Sequence, residues 1–278
     1  MALQDALNIF QSDGETEEKL AQVYAGLLEN VQKGSLADRF KNTNYSGDPQ
    51  GGSIVVRRLA NAGLDDYKTA RTAGKGNALE NNDVVINLDT DKEIVEELEM
   101  KDVAMFGVDG LAEKRKANHA QRIIAYKDNA FFGEMVTAGT EVTLTAEKIE
   151  EQLEEMIQAV ETTSDDYTDG VERDQIVLSV KPAIYGKVRN YIDSVANSVN
   201  GVTYNVFHDV EIVSNHRQTK DIICFMRGAV AQPTKIDEYS VEKVPFADAI
   251  ALETFIHMGT KAVYGNLIAY ADLEVASL

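Results

Sequence analysis

The feature that most constrains this chain is a pair of strand-forming stretches separated by a very long connection. Ser53–Leu59 and Asp83–Asp89 each alternate apolar and polar positions, which predicts two half-buried strands. The connection Ala60–Asn82 is rich in Gly, Ala, Asn and Lys, and its predicted tip is Ala73–Asn77. Hairpin loops usually span only ~2–5 residues. The sequence therefore predicts a two-stranded stalk with an extended loop, and such loops are usually functional or ordered by a neighbour.

A polar leader with one amphipathic helix precedes the stalk. Apolar residues recur at helical spacing through Glu17–Gln32, which predicts a helix with a single apolar stripe. The flanking residues are not core-like, and Ser46–Gly52 breaks the chain before the stalk. One amphipathic helix cannot bury its own stripe, so this helix must dock on the body of the protein or on another chain.

Two further helices carry opposite charges. The pattern predicts a helix over Asp109–Thr137 with the densest basic group of the chain in its first half. A second helix is predicted to begin at Thr145 as N-cap, with an apolar stripe from Ile149 to Val160. Its other face is acidic, and Glu147–Asp174 holds eleven acids against two bases. A solvated acidic face is the favoured interpretation, and a metal-binding face is the alternative.

The remaining chain predicts a mixed α/β body. Strands are predicted at Gln175–Val180, Glu211–Ser214 and Asp221–Met226, and Pro182 suits the first turn of a helix. Asn200-Gly201 predicts a tight turn. Two closing strands, Ala249–Met258 and Tyr264–Leu273, are predicted to form a pair joined by a turn that contains Gly259.

No motif in the sequence predicts catalysis, a cofactor or a metal site. Gly74–Asn77 lacks the spacing of a nucleotide-binding loop, and Asp165–Gly170 departs from a calcium loop at Tyr167. The four histidines lack ligand spacing, and a hydrogen-bonded structural role is predicted for His257. Cys224 lies in an apolar strand, which predicts a buried side chain rather than a nucleophile.

Charge and length limit the partners. The chain of 278 residues has a net charge of −19, so a basic nucleic-acid-binding face is not expected. No apolar run approaches the ~20 residues that span a bilayer. The single cysteine excludes an intrachain disulfide. These features predict a protein of a reducing compartment with no membrane contact.

The order of these segments resembles the major capsid proteins of tailed bacteriophages, whose shell fold is shared with herpesviruses and encapsulins. An arm with one helix, a long two-stranded loop, a long helix and a compact α/β region with closing strands follow one another as in that family. The resemblance implies an α+β phage major capsid fold. Its parts would be the N-arm (1–48), the E-loop and stalk strands (49–100), the P-domain with its long spine helix (101–143) and the A-domain (144–230). The closing strands (231–278) would complete the P-domain and A-domain.

The resemblance also implies a function and partners. The chain would be a structural protein, not an enzyme, that assembles through pentamers and hexamers into an icosahedral shell enclosing double-stranded DNA without binding it specifically. Assembly in the host cytoplasm, a separate scaffolding protein and a portal are expected with it, and whether a decoration protein also takes part is left open by the sequence. Basic side chains would contact acidic patches on adjacent subunits, and the candidates are Lys114, Arg115, Lys116, Arg122, Arg71 and Lys75.

Three alternatives stay open at the level of sequence. An encapsulin-like compartment has the same fold with a protein cargo. An acidic metal-dependent enzyme would use carboxylates of Glu147–Asp174 and would form no particles. A tail or neck protein would form tubes or single rings.

Overall fold

The computed structural model of the protein describes residues 14–45, 52–62, 81–195 and 206–273. These residues form two compact units. The first contains 14–40, 87–130 and 232–259, and the second contains 41–45, 52–62, 81–86, 131–195, 206–231 and 260–273. Each unit therefore collects pieces that lie far apart in the sequence. Among the described residues, no helix is both long enough and apolar enough to cross a membrane.

The first unit combines helices with one antiparallel sheet. Its helices are α1 (Gly14–Gly34), α2 (Leu36–Phe40), α3 (Met100–Phe106) and the first part of α4 (Val108–Ala138). Its strands are β3 (Thr90–Glu99), β12 (Thr234–Ile236), β13 (Ser240–Lys243) and β14 (Ala249–Met258). Strand β14 pairs with β3 over all ten residues, and β12 and β13 pair with its other edge.

The core of the first unit lies between the arm helix α1, helix α4 and the sheet. Residues Val23, Leu27 and Val31 of α1 pack in one cluster with Ile123 of α4 and Leu252 of β14. The helical spacing of the α1 stripe explains this, because it turns every third or fourth side chain toward the same partner. The sequence left open whether this helix docks on its own subunit or on another chain. The structure shows that it packs on its own subunit.

The second unit begins with the stalk, which consists of β1 (Ser53–Leu59) and β2 (Asn81–Asn87). Its main sheet has six strands in the order β4-β16-β10-β7-β9-β8. Their bounds are Thr140–Glu141, Ile268–Ala271, Ile222–Met226, Ile176–Val180, Val210–Ser214 and Val206–Phe207. Strands β7 and β9 run parallel and are connected through α6 (Pro182–Val195). A short hairpin of β5 (Ser164–Asp165) with β6 (Thr168–Asp169) and an antiparallel pair of β11 (Val230–Ala231) with the distant β15 (Lys261–Ala262) complete the unit.

Helices α5 (Ile149–Glu161) and α6 cover the central strands of this sheet. The α5 stripe Leu153, Met156, Ile157 and Val160 is fully buried in the same cluster as strands β7 and β10. All five residues of β7 are buried. A continuous apolar strand of this kind is expected where both faces of a sheet are covered.

Most of the predicted elements are confirmed. The helices predicted at Glu17–Gln32 and Asp109–Thr137 are α1 and α4, and β1 matches the predicted Ser53–Leu59. The alternation also holds, since Ile54 and Val56 are buried while Arg57 is exposed. The turn predicted at Asn200-Gly201 lies outside the described residues.

Three predictions about local structure are wrong or incomplete. Helix α5 begins at Ile149 rather than Thr145, because Thr145 instead donates its N–H and hydroxyl to the Glu155 carboxylate. The two closing strands do not pair with each other: β14 pairs with β3, and β16 pairs with β10. Strand β3 itself was not predicted, because its Glu-rich sequence has low strand propensity and is held extended by pairing with β14.

Candidate assembly surfaces

The predicted basic group on α4 is partly used inside its own subunit. The Nε of Arg115 donates to both carboxylate oxygens of Glu96 on β3, at 2.9 and 2.8 Å, and a second guanidinium nitrogen also binds this carboxylate. This charge-assisted contact keeps the pKa of Glu96 below its usual value. Arg115 therefore links helix α4 to strand β3.

A buried histidine extends the same network. The Nδ1 atom of His119 lies 2.7 Å from the Tyr239 hydroxyl, and its Nε2 lies 3.1 Å from Glu96. Burial raises the pKa of Tyr239 above its ordinary value. His119 is 1 % exposed, so it forms part of the core of the first unit. Sequence reasoning did not identify this cluster, because Glu96, His119 and Tyr239 are distant in the chain.

The other candidates differ in their surroundings. The Nζ atom of Lys116 lies 2.6 Å from the Glu113 carboxylate. The same atom lies beside Gly26 of α1, 3.1 Å from the position that a Cβ atom on this glycine would occupy. It therefore lies against the arm helix. Lys114 and Arg122 are exposed and two helical turns apart, which places them on the same face of α4. Arg71 and Lys75 lie outside the described residues.

The arm is fixed to α4 by buried polar contacts. The Asp128 carboxylate, which is fully buried, accepts hydrogen bonds from the Ser35 hydroxyl (2.8 Å) and the Ala37 N–H (3.0 Å). The Ser35 hydroxyl also accepts the Asp38 N–H at 3.2 Å. Beside it, Lys127 and Asp38 form an ion pair of 2.5 Å with side chains only 3 % and 9 % exposed. The end of the arm is therefore held by specific buried polar contacts as well as by apolar packing.

The stalk is fixed at its distal end by Arg58. The guanidinium lies over the rings of Tyr167 and Tyr264, at 4.1 and 4.6 Å from their centroids, and 3.4 Å from the Asp165 carboxylate. Arg58 Nε is buried and has no hydrogen-bond partner in the described part of the chain. Two residues past β1, the Asn61 N–H donates to the Asp166 carbonyl at 2.9 Å. The β5–β6 hairpin therefore holds the point at which the chain leaves the stalk.

The acidic segment Glu147–Asp174 is partly neutralised within the subunit. Arg173 donates to Glu154 at 2.6 Å and to Glu161 at 2.9 Å. Together with a contact from His208 at 3.0 Å, this lowers the pKa of Glu154 to about 2. In the described residues, no group of His, Cys, Asp and Glu side chains is arranged to hold a metal ion. The segment is therefore an ion-paired surface with further exposed carboxylates.

Two predicted structural roles are confirmed. Cys224 is fully buried in β10, and desolvation raises the pKa of its thiol, which removes it as a nucleophile. The Nδ1 atom of His257 lies 2.6 Å from Asp91, and Nε2 lies 3.4 Å from Asp237. His257 therefore links the neighbouring strand β3 to the segment after β12.

Several solved structures share this arrangement of elements, and they come from viral shells. The chain matches the capsid structure of the cyanophage P-SCSP1u with a TM-score of 0.59 and 13% identity, over 83% of this chain and 85% of that one. It matches the mature capsid of bacteriophage PhiM1 with a TM-score of 0.55 and 13% identity, over 82% and 84%. The chain has a phage capsid fold. The α+β fold class predicted from the sequence is thereby confirmed.

A related shell has the same fold. The virus-like particle from Pyrococcus furiosus matches with a TM-score of 0.57 and 14% identity, over 91% of this chain and 98% of that one. No protein-family model and no curated protein matches the sequence. The likeness is therefore one of three-dimensional structure rather than of sequence.

Proposed function

We propose that this protein is the major capsid subunit of a tailed bacteriophage and that it assembles into an icosahedral shell around double-stranded DNA. The observation that carries the proposal is the fold, which phage capsid structures share over more than four-fifths of the chain. Pentamers and hexamers of one chain, joined head to tail, would close into such a shell. The location is then the virion, and the role is structural rather than enzymatic.

The segment lengths support this function. The stalk has a small core of its own, in which Val56 and Ile86 pack with Ala231 and Val263. It nevertheless carries a connection of residues 60–80, far longer than a hairpin requires. Connections of this length are usually functional or ordered by a neighbour, so this segment is suited to contact a neighbouring copy. Many such weak contacts add up to a stable assembly through avidity.

The two units suggest how the named parts of a capsid subunit are distributed. We assign the first unit to the N-arm and P-domain, with α4 as the spine helix. The second unit would provide the stalk of the E-loop and the A-domain. The closing residues would then contribute to both, with β14 in the P-domain and β16 in the A-domain.

The basic residues predicted from the sequence remain the proposed intersubunit contacts. Lys114 and Arg122 are exposed on α4 and would meet acidic patches of an adjacent copy, as would Arg71 and Lys75 in the connection between the stalk strands. Arg115 and Lys116 already contact acids of their own chain, at Glu96 and Glu113. They would therefore support α4 at least as much as the interface.

Electron microscopy of the purified protein tests the function directly. The expected result is closed particles built from pentamers and hexamers, formed by the chain alone or with a separate scaffolding protein. A portal and a decoration protein would be further partners in the complete head. A discrete monomer or small oligomer under all these conditions would contradict the proposal.

A matched pair of variants tests the role of the loop. Replacing residues 63–80 by a short Gly-Ser linker keeps Arg58 and Asn61, which hold the end of the stalk. The subunit should keep its unfolding transition but form no particles. A linker of equal length to the natural segment is the control for chain connectivity, and normal particles from the short variant would refute this role.

An encapsulin-like compartment is the second candidate, because the virus-like particle from Pyrococcus furiosus matches 91% of this chain. The contents of particles purified from the native source separate the two functions. Packaged double-stranded DNA and attached tails support the phage shell, whereas an enclosed enzyme without DNA supports the compartment. The acidic character of the chain is compatible with both functions. In a phage shell it would offer packed DNA few sites to bind.

A further inference from the structure

The turn between β13 and β14 exposes an aromatic side chain completely. This hairpin tip, Val244–Asp248, contains four consecutive residues without a polar side chain before Asp248. Phe246 has a relative exposure of 110 %, the largest among the exposed apolar side chains of the described residues. Large aromatic side chains are normally buried and dominate the energetics of cores and interfaces. The side chain of Phe246 thus has no apolar cover from the part of its own subunit that the structure describes.

The backbone at the same residue is also unusual. Phe246 has a φ of 62°, in the left-handed region that favours glycine. Pro245 precedes it, and the Ala247 N–H donates to the Val244 carbonyl at 3.4 Å, an arrangement like a type II turn. Such a turn usually has Gly at the position of Phe246. A strained residue that also exposes a large ring is typical of a functional contact.

The tip is held firmly by the structure beneath it. Val241 and Ile250, on either side of the turn, pack with Val103 of α3. The Met100 N–H donates to the Asp248 carbonyl at 3.1 Å. Helix α3 also exposes Met105, at 73 %. Two exposed apolar side chains therefore project from elements that share one core cluster.

We propose that Phe246 is an anchor residue that packs against exposed apolar side chains of a second copy of this chain. The inference rests on the proposed shell function, in which copies surround each other at high local concentration. Aromatic anchors in protein interfaces characteristically carry much of the binding energy. The chain's net charge of −19 disfavours nucleic acid and anionic lipid as occupants. The same chain also offers exposed apolar positions to receive the ring, including Leu59 at 52 % on the stalk.

The substitution Phe246→Gly separates the contact from folding. Glycine adopts the left-handed conformation without strain, so the variant should fold and its melting temperature should not fall markedly. Loss of the ring should raise the protein concentration needed for assembly about tenfold or more. Phe246→Tyr, which keeps the ring and the strain, is the matched control and should assemble near the wild-type concentration. Light scattering and electron microscopy measure both.

The outcomes distinguish this inference from the shell function. If the wild type forms particles and Phe246→Gly forms them at the same concentration, the anchor role is refuted and the shell function stands. If the wild type forms no particles, the shell function fails, and the inference fails with it. A photo-crosslinking benzoyl-phenylalanine at position 246 gives a second readout. Crosslinks to another copy in particles support the anchor, and crosslinks only within the same chain overturn it.

Discussion

The arm and the stalk have similar sequence signatures but opposite structural outcomes. The sequence presents both as segments that cannot bury their apolar residues alone. The arm helix α1 buries Val23, Leu27 and Val31 within the first unit and ends beside the Lys127–Asp38 ion pair. The stalk buries one face only, and Leu59 and Val85 on its other face remain 52 % and 46 % exposed.

This difference shows which segments a subunit can offer to its neighbours. The arm helix α1 packs on α4, and the following helix α2 pairs with α4 through Asp38 and Lys127. The arm is therefore part of the folded subunit, and releasing it to a neighbouring copy would lose these contacts. A two-stranded stalk that is held by Arg58 and a small core keeps one face exposed, and this face is available to another copy. Apolar burial is therefore more complete at the arm helix than at the stalk, and contact surface is left available at the stalk.

The largest effect on stability should follow from breaking the buried ion pair between Asp38 of the arm and Lys127 of α4. Asp38→Ala removes the carboxylate that pairs with the ammonium of Lys127, which is 3 % exposed. Removing one member of a buried pair costs about 3–5 kcal/mol, because the remaining charge loses its compensation. Urea unfolding of unassembled subunits measures this loss. Lys33→Ala, which removes an exposed pair with Glu29, is the control and should change stability by less than about 0.5 kcal/mol.

The stalk anchor should have a smaller effect on stability and a larger one on assembly. Arg58→Ala removes the stacking on Tyr167 and Tyr264 and the contact with Asp165, and should cost about 2 kcal/mol. Arg58→Lys keeps the charge without the planar group and should recover only part of this. The comparison between arm and stalk would fail if Arg58→Ala destabilised the subunit more than Asp38→Ala while particle yield stayed normal.

Acid should weaken the ion-paired part of the acidic segment Glu147–Asp174. The pKa of Glu154 is lowered to about 2 by Arg173 and His208, so its contribution to stability is complete above the unfolded value near 4.5. This contribution is lost as the pH falls from there toward about 2. Glu154→Gln should therefore make stability less dependent on pH in this window. Urea unfolding of the wild type and the variant at several pH values measures the slope, and equal slopes would contradict the assignment.

The smallest effect is expected on the exposed face of the stalk. Arg57 and Asp83 pair at 3.1 Å across β1 and β2, but their side chains are 63 % and 38 % exposed. Arg57→Ala should therefore reduce stability by about 0.5 kcal/mol or less in the unassembled subunit. A loss comparable to that of Arg58→Ala would mean that the outer face of the stalk also contributes to folding.

The success of the sequence predictions differs between periodic and paired structure. The stripes of α1, α4 and α5 follow directly from residue spacing, and their core positions are buried as predicted. Strand β3 was missed, because its glutamates suit a helix or a loop and only pairing with β14 makes the segment a strand. The proposed anchor Phe246 was also missed, since its exposure and left-handed backbone have no signature in the sequence.

The candidate site shows the same division. The basic group on α4 was evident from the sequence, but the pairing of Arg115 with Glu96 was not, because Glu96 lies on strand β3. The contacts of Asp128 with Ser35 and Ala37 of the arm were not evident either, because these residues are about ninety positions away in the chain. Arg58 belongs to an unremarkable strand sequence, and its importance arises from two tyrosines more than a hundred residues away. Contacts between distant segments depend on the tertiary arrangement, which local spacing does not encode.

By itself, the sequence determined the helices, the two-stranded stalk with its long loop and the acidic character of the chain, because these depend on local periodicity and composition. The tertiary structure alone decided that the arm helix packs on its own subunit and that the closing strands enter two different sheets. It also decided that a single aromatic residue is left exposed at a hairpin tip. The physical reason is that burial, strand pairing and charge compensation are properties of neighbours in space, and most of these neighbours are distant in the chain.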